Sequence, residues 1–141
     1  MNALLIWPKI PVTYWGGHYS IGLIGKKAFM PPLGLLTVAA LCPKEWSLRL
    51  IDLNAQELTD SDLKWADMVL MSGMVIQHES MMEVLARCKK LGVSTAVGGP
   101  HATSSPEKFD NADHLILDEG EITLGLFFND LKEGKAQRSY T

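Results

Sequence analysis

Three clusters and one lone acid in this 141-residue chain carry residue types that bind ligands or do chemistry. They are Ser72-Gly73-Met74, Gly98-Gly99-Pro100-His101, Asp118-Glu119-Gly120-Glu121, and the isolated Asp52. Adjacent glycines strip the main chain of side chains, so that a ligand can lie directly against it. Each cluster also has a plainer reading. Gly73, Gly98 and Gly99 suit turns that need positive φ, a loop histidine commonly just bonds its neighbours, and Asp52 suits a turn or helix cap. Ser72 with His101 suggests a hydrolase, yet no GxSxG elbow surrounds the serine. No GxGxxG follows the first apolar run, and GxxxxGK[ST] is absent. Nor does an acidic pair that would hold Mg²⁺ follow that run. The residues point to binding rather than to a nucleophile.

The elements that must position these clusters alternate along the chain. Ala3–Trp7 is a short continuous apolar run stopped by Pro8, as in a strand buried on both faces. Residues 46–53, 66–73, 93–99 and 113–117 read as four further strands. Between them, "PPLGLLTVAALC" at 31–42 opens with two prolines and predicts a largely buried helix. A short helix near 60–65 has Thr59 or Asp60 as a cap. Met81, Val84, Leu85, Cys88 and Leu91 repeat at helical spacing before Gly92, and Leu124, Phe127, Phe128 and Leu131 repeat likewise. This alternation predicts an α/β three-layer sandwich with a mostly parallel five-stranded sheet, flavodoxin-like or Rossmann-like. In such sheets ligands bind beyond the carboxyl ends of the strands, where the glycine-rich clusters fall. The segment 8–30, rich in Trp, Tyr, Gly and Ile, is longer than an ordinary connection and is expected to be functional.

Composition narrows the classes. Hydrophobic residues make up 47% and charged residues 21%, as in an ordinary globular domain. With a net charge of −3 and no basic cluster larger than Lys26-Lys27 or Lys89-Lys90, nucleic acid is not an expected partner. The two cysteines, Cys42 and Cys88, sit in apolar helical patterns and read as reduced, buried thiols; no CxxC pair is available for zinc or iron–sulfur. No apolar run reaches the ~20 residues of a membrane span. The start lacks a basic signal region, so cytoplasmic residence is expected.

"PPLGLLTVAALCP…WSLRLIDLN", "WADMVLMSGMVIQ", "VGGPHATSSPE" and "DEGE", in this order and spacing, resemble the N-terminal cobalamin-binding domain of cobalamin-dependent radical S-adenosylmethionine proteins. The resemblance runs from the first strand to about Lys135; where that family often has Gly-Glu-Gly/Ala-Glu, this chain has Asp118-Glu119-Gly120-Glu121. It implies a domain over residues 1–135 that holds cobalamin across the carboxyl edge of its sheet, with the nucleotide tail threaded downward. Residues 136–141 would then begin a linker to a C-terminal radical S-adenosylmethionine barrel. That barrel would carry S-adenosylmethionine and a four-iron four-sulfur cluster, because the Cys-x-x-x-Cys-x-x-Cys motif is not in these 141 residues. The implied cofactor-binding residues are Ser72, Gly73, Met74, Gln77, Gly98, Gly99, Pro100, His101, Glu119 and Gly120. Gly98 and Gly99 would leave space for the tail, and Pro100-His101 would turn the chain away. Many other cobalamin domains carry Asp-x-His-x-x-Gly after the first strand, but "PKIPVTYWGGHYSIG" does not match it. Base-off cobalamin without a histidine below cobalt is the expectation, with His18 as the reserve candidate. No catalytic residue and no protein metal ligand are expected in the piece itself; its parent would be a methyltransferase or related enzyme. The alternatives are a cofactor-free regulatory or interaction domain of the same fold, and a flavin- or nucleotide-binding domain.

Overall fold

The computed structural model of the chain describes residues 1–12, 25 and 31–141. His18 and most of the 8–30 segment lie outside the described residues. Six strands form one parallel sheet in the order β2-β1-β3-β4-β5-β6: β1 Asn2–Trp7, β2 Ser47–Asp52, β3 Met68–Ser72, β4 Ser94–Gly98, β5 His114–Ile116 and β6 Ser139–Tyr140. The first strand connects to one neighbour and the third lies on its other side, so strand order reverses between β1 and β3. That reversal is the flavodoxin-like switch point.

The continuous apolar character of β1 follows from its place between two layers. Ala3 and Leu5 pack with one core, Leu4 and Ile6 with the other, and all four are buried. One layer holds α1 (Leu33–Leu41) and α5 (Gly120–Lys132); the opposite layer holds α2 (Asp60–Trp65), α3 (His78–Leu91) and α4 (Pro100–Ser104). Helix α2 starts at Thr59, whose hydroxyl accepts from the Asp62 amide while the Asp62 carboxylate accepts from the Thr59 amide; this reciprocal cap fixes the boundary the sequence suggested. Helix α3 buries Met81, Val84, Leu85 and Cys88. It stops at Gly92 in the left-handed conformation, φ 70°.

Two expectations change. The sheet gains a sixth strand: Ser139–Tyr140, expected inside a linker, pairs with β5. Tyr140 is buried, and its hydroxyl donates to Asp130 at 3.0 Å. Arg138 reaches the carbonyls of Phe109 and Ala112, which draws the segment in. Helix α1 is the second change, for only Leu35 of its residues is buried. Leu33, Leu36 and Leu41 are 67%, 49% and 41% exposed. The helix lays a single narrow stripe on the sheet, and a cavity takes up much of the apolar side that would otherwise be core.

Cys42 and Cys88 are free and buried. Burial pushes both thiols up to about 11, so neither is a thiolate at neutral pH. No described helix is long and apolar enough to cross a membrane.

Candidate functional site

A cavity of about 200 Å³ opens at the carboxyl rim of β3, β4 and β5 and runs down between the sheet and the α1/α5 layer. Ser72, Gly98 and Ile116 stand side by side at the top of its sheet wall, as register partners across the three strands. Two residues below, Leu70 and Ala96 form the lower wall. At about 3.3 Å per residue, that step carries the slot about 7 Å beneath the rim. Leu35, Val38 and Leu41 of α1 close one side, and Gly120, Glu121 and Leu124 of α5 close the other.

Parity along the strands decides what faces the slot. Leu70, Ala96, Ile116 and Leu124 belong to the core on the α1/α5 side, so the lower slot presents aliphatic side chains. At the rim the lining turns polar, with the Ser72 hydroxyl, Asp118 and Glu121. Gly120 and Glu121 form the first turn of α5, whose leading amides have no intrahelical acceptor and can bind an oxygen at the mouth. No described lysine or arginine lines the slot.

Five of the ten residues singled out in the sequence meet here: Ser72, Gly98, Gly99, Pro100 and Gly120. The two adjacent glycines do more than leave room. A Cβ on Gly98 would stand 2.8 Å from the Ile116 carbonyl oxygen, and one on Gly99 would stand 2.2 Å from the Ser72 Oγ. The space they open is first taken by the protein itself, which lets β5 and Ser72 close the slot wall. Gly99 also has φ 85° and ψ −176°, a conformation that L side chains essentially never adopt.

The other five are placed elsewhere. Gly73 lies against Met81 of α3, on the opposite layer. Gln77 is completely buried and its amide is fully engaged: Oε1 accepts from the Met74 amide at 2.9 Å, and Nε2 donates to the Pro8 carbonyl at 2.5 Å. It ties the exit of β1 to the exit of β3 rather than offering bonds to a ligand, and it holds the Met74 amide in the process. Asn54 supports the same point, donating to Pro8 and accepting from the Ile10 amide. Glu119 is the exposed residue that precedes α5, and its carbonyl accepts from Ile122 and Thr123. Asp52 accepts from the Asn54 amide, the capping role given as its plainer reading.

His101 also turns away from the slot. It is buried, with its ring against Phe109 and its Nε2 3.0 Å from Nδ1 of His78. Nδ1 of His101 has no partner among the described residues, which favours the tautomer with the proton on Nε2, donating to His78 and leaving a lone pair unpaired instead of an N–H. Burial first, then the neighbouring His78 charge, hold His101 below the ordinary imidazole value of 6.5. His114 is engaged with the Gln137 carbonyl at 2.6 Å. No described histidine lines the slot.

Sequence reading did not single out the slot's aliphatic wall, nor Asp118 as a lining residue. The wall had a signal: α1 lacks a polar face, and a helix apolar all round but barely buried needs something against it. Asp118 had a weaker one, lying next to Glu119; it is the only described non-glycine residue with positive φ, 58°, and its amide is held by the Thr103 hydroxyl.

Comparison with known proteins agrees with this geometry. The profile of the family described as the B12 binding domain matches residues 20–127. An uncharacterized methyltransferase of Synechocystis sp. is 47% identical over 137 residues, covering 96% of this chain and 26% of the relative. A hopanoid C-2 methylase of Rhodopseudomonas palustris is 36% identical over 124 residues, covering 86% of this chain and 24% of its own length. An uncharacterized methyltransferase of Pyrococcus horikoshii is 29% identical over 148 aligned positions, covering 96% and 31%. The chain thus spans 24–31% of the length of these relatives. No solved structure matches it.

Proposed function

The chain belongs to the B12 binding domain family, and on that premise we propose that it holds cobalamin base-off, with the nucleotide tail in the slot between the sheet and α1/α5. One observation carries this reading: an open cavity at the strand ends that is aliphatic below and polar at its mouth, where a flavodoxin-like sheet binds ligands. The Ser72 hydroxyl and the leading amides of α5 would meet the phosphate and ribose of the tail. Leu35, Leu70, Ala96 and Leu124 would enclose its base, and Val75 and Ile76, exposed at 60% and 48% just beyond β3, would support the corrin edge. When bound, the corrinoid supplies a methyl group carried on cobalt. The residues of this chain bind it, orient it and exclude water from its tail. Gln77 and Asn54 keep the exits of β1, β2 and β3 at fixed spacing beneath it.

The longer relatives support a place for this domain as the cofactor module of a larger methyltransferase. Its partner would be a C-terminal radical S-adenosylmethionine barrel that carries S-adenosylmethionine and the iron–sulfur cluster. Exposed Leu33 and Leu36 on α1, with Ile122 and Leu126 on α5, give such a neighbour an apolar surface. A dinucleotide fits less well, because its two phosphates would stand beside Asp118 and Glu121 with no described lysine or arginine in the lining.

Mixing the purified chain with hydroxocobalamin, desalting and recording the visible spectrum tests the reading. Corrin absorbance that travels with the protein is the expected result; protein that emerges colourless at saturating corrinoid refutes it. Electron paramagnetic resonance of the Co(II) complex tests the lower ligand. The expected spectrum lacks nitrogen hyperfine splitting. Splitting that disappears in His18→Ala or His101→Ala would overturn the base-off, histidine-free assignment.

A further inference from the structure

Resting on the corrinoid reading above, we propose that the slot selects corrinoids by the terminal base of their tail, accepting a dimethylbenzimidazole and discriminating against a purine. The observation is the division of the slot into two zones. Among the described residues, Ser72, Asp118 and Glu121 bring its polar side chains, and all three stand at the rim. Thr37, the other hydroxyl in the lining, is already donating to the Leu33 carbonyl at 3.3 Å. Below them the side chains are those of Leu35, Leu70, Ala96 and Leu124, each 3% exposed or less. The backbone groups of Leu70 and Ala96 are part of the ladder joining β3, β4 and their neighbours, so they are not available either.

A base that reaches the lower zone therefore meets aliphatic carbon. The two methyl groups of dimethylbenzimidazole gain from that surface. A purine would bring ring nitrogens and, in adenine, an exocyclic amine on the edge remote from the sugar. Those groups would lose water and find no partner among the described residues, and an unpaired buried polar group costs more than the hydrogen bond it replaces gains. The discrimination arises from rejection of polar edges, not from recognition of any particular atom. It needs no residue beyond the wall already described.

Direct titration of the chain with three aquo-corrinoids reads this out: cobalamin, its adeninyl analogue, and cobinamide, which has no tail. Calorimetry or retained corrin absorbance gives the affinities without reference to catalysis. The expected order is cobalamin tightest, the adeninyl form weaker by about tenfold or more, equivalent to about 1.4 kcal/mol, and cobinamide weak. Ala96→Ser, checked for an unchanged circular dichroism spectrum, adds a hydroxyl to the lower wall. It is expected to narrow the ratio by tightening the adeninyl form. Equal or tighter binding of the adeninyl corrinoid overturns the inference and leaves the corrinoid reading standing. Cobalamin and cobinamide binding equally well, or no corrinoid binding at all, overturns the placement of the tail itself.

Discussion

Replacing Gly99 with alanine tests the construction of the slot most directly. Two separable penalties arise. Gly99 sits at φ 85° and ψ −176°, and a side chain held in that region costs about 1–3 kcal/mol. The added Cβ would also stand 2.2 Å from the Ser72 Oγ, and such overpacking costs about 1–3 kcal/mol more. The sum, about 2–6 kcal/mol, corresponds to a fall in Tm of about 8 °C or more for a domain of this size. Urea denaturation measures it, and a double-mutant cycle with Ser72→Gly separates the parts. Removing the serine side chain relieves the contact but not the backbone strain, so Gly99→Ala is expected to cost less in the Ser72→Gly background by about 1–3 kcal/mol. Hydroxocobalamin retention should fall in the single variant, because Ser72 can yield only by moving away from its place at the slot mouth. A Gly99→Ala chain within about 0.5 kcal/mol of the parent, or two substitutions that simply add, would refute the reasoning.

Other consequences follow from buried groups. Gln77→Ala leaves the Met74 amide without its partner and the Pro8 carbonyl with Asn54 alone, and is expected to cost about 1–3 kcal/mol in urea unfolding. His101 titrates below 6.5 in the fold, so the unfolded chain takes up its proton first; stability intact above that value is lost as the pH falls beneath it. Unfolding free energies compared at about pH 7.5 and about pH 5.5 should show this loss, and His101→Gln should diminish it. Cys42 and Cys88, with thiols pushed up to about 11, should resist a disulfide reagent at neutral pH in the native chain and react fully once it is unfolded. Thr59→Ala removes one half of the reciprocal cap on α2 and is expected to cost about 1 kcal/mol.

The fold was legible because its signals are local and repeated. Apolar runs such as Ala3–Trp7 and the stripe Met81-Val84-Leu85-Cys88 can hardly be anything but a doubly buried strand and a core-facing helix side. The sixth strand was not legible. Ser139–Tyr140 is two residues long and follows a charged stretch, and only Tyr140 meeting the core on the α1/α5 side makes it part of the sheet. At the site, sequence order locates the strand ends, but it cannot say which layer each rim residue addresses. Ser72 and Gly73 are adjacent and face opposite layers, as alternation requires; their shared motif pointed to one side. Gln77 and His101 look like donors on paper because their partners, Pro8 and His78, are 69 and 23 residues away.

The glycine pair shows why a correct location came with an incomplete reason. Bare main chain at a strand end invites a ligand, but the first atoms to use it are the Ile116 carbonyl and the Ser72 hydroxyl. Those contacts make the wall rigid before any ligand arrives. Ser72 is pinned beside Gly99, β5 is drawn against Gly98, and the Gly73 carbonyl accepts from the His101 amide at 3.1 Å to lock the two loops together. A wall built this way has little ordering left to do on binding, so affinity is set by what the ligand brings. The opposite side is different in kind, since α1 buries only Leu35 fully, with half-buried Val38 and Ala39 packed beside it, and so has less to hold it in place. Fit to a tail should therefore be taken up by α1. Hydrogen exchange should slow on binding across residues 33–41 and stay nearly unchanged in β3 and β4, whereas protection gained mainly in those strands would mean that the glycine wall is the part that moves.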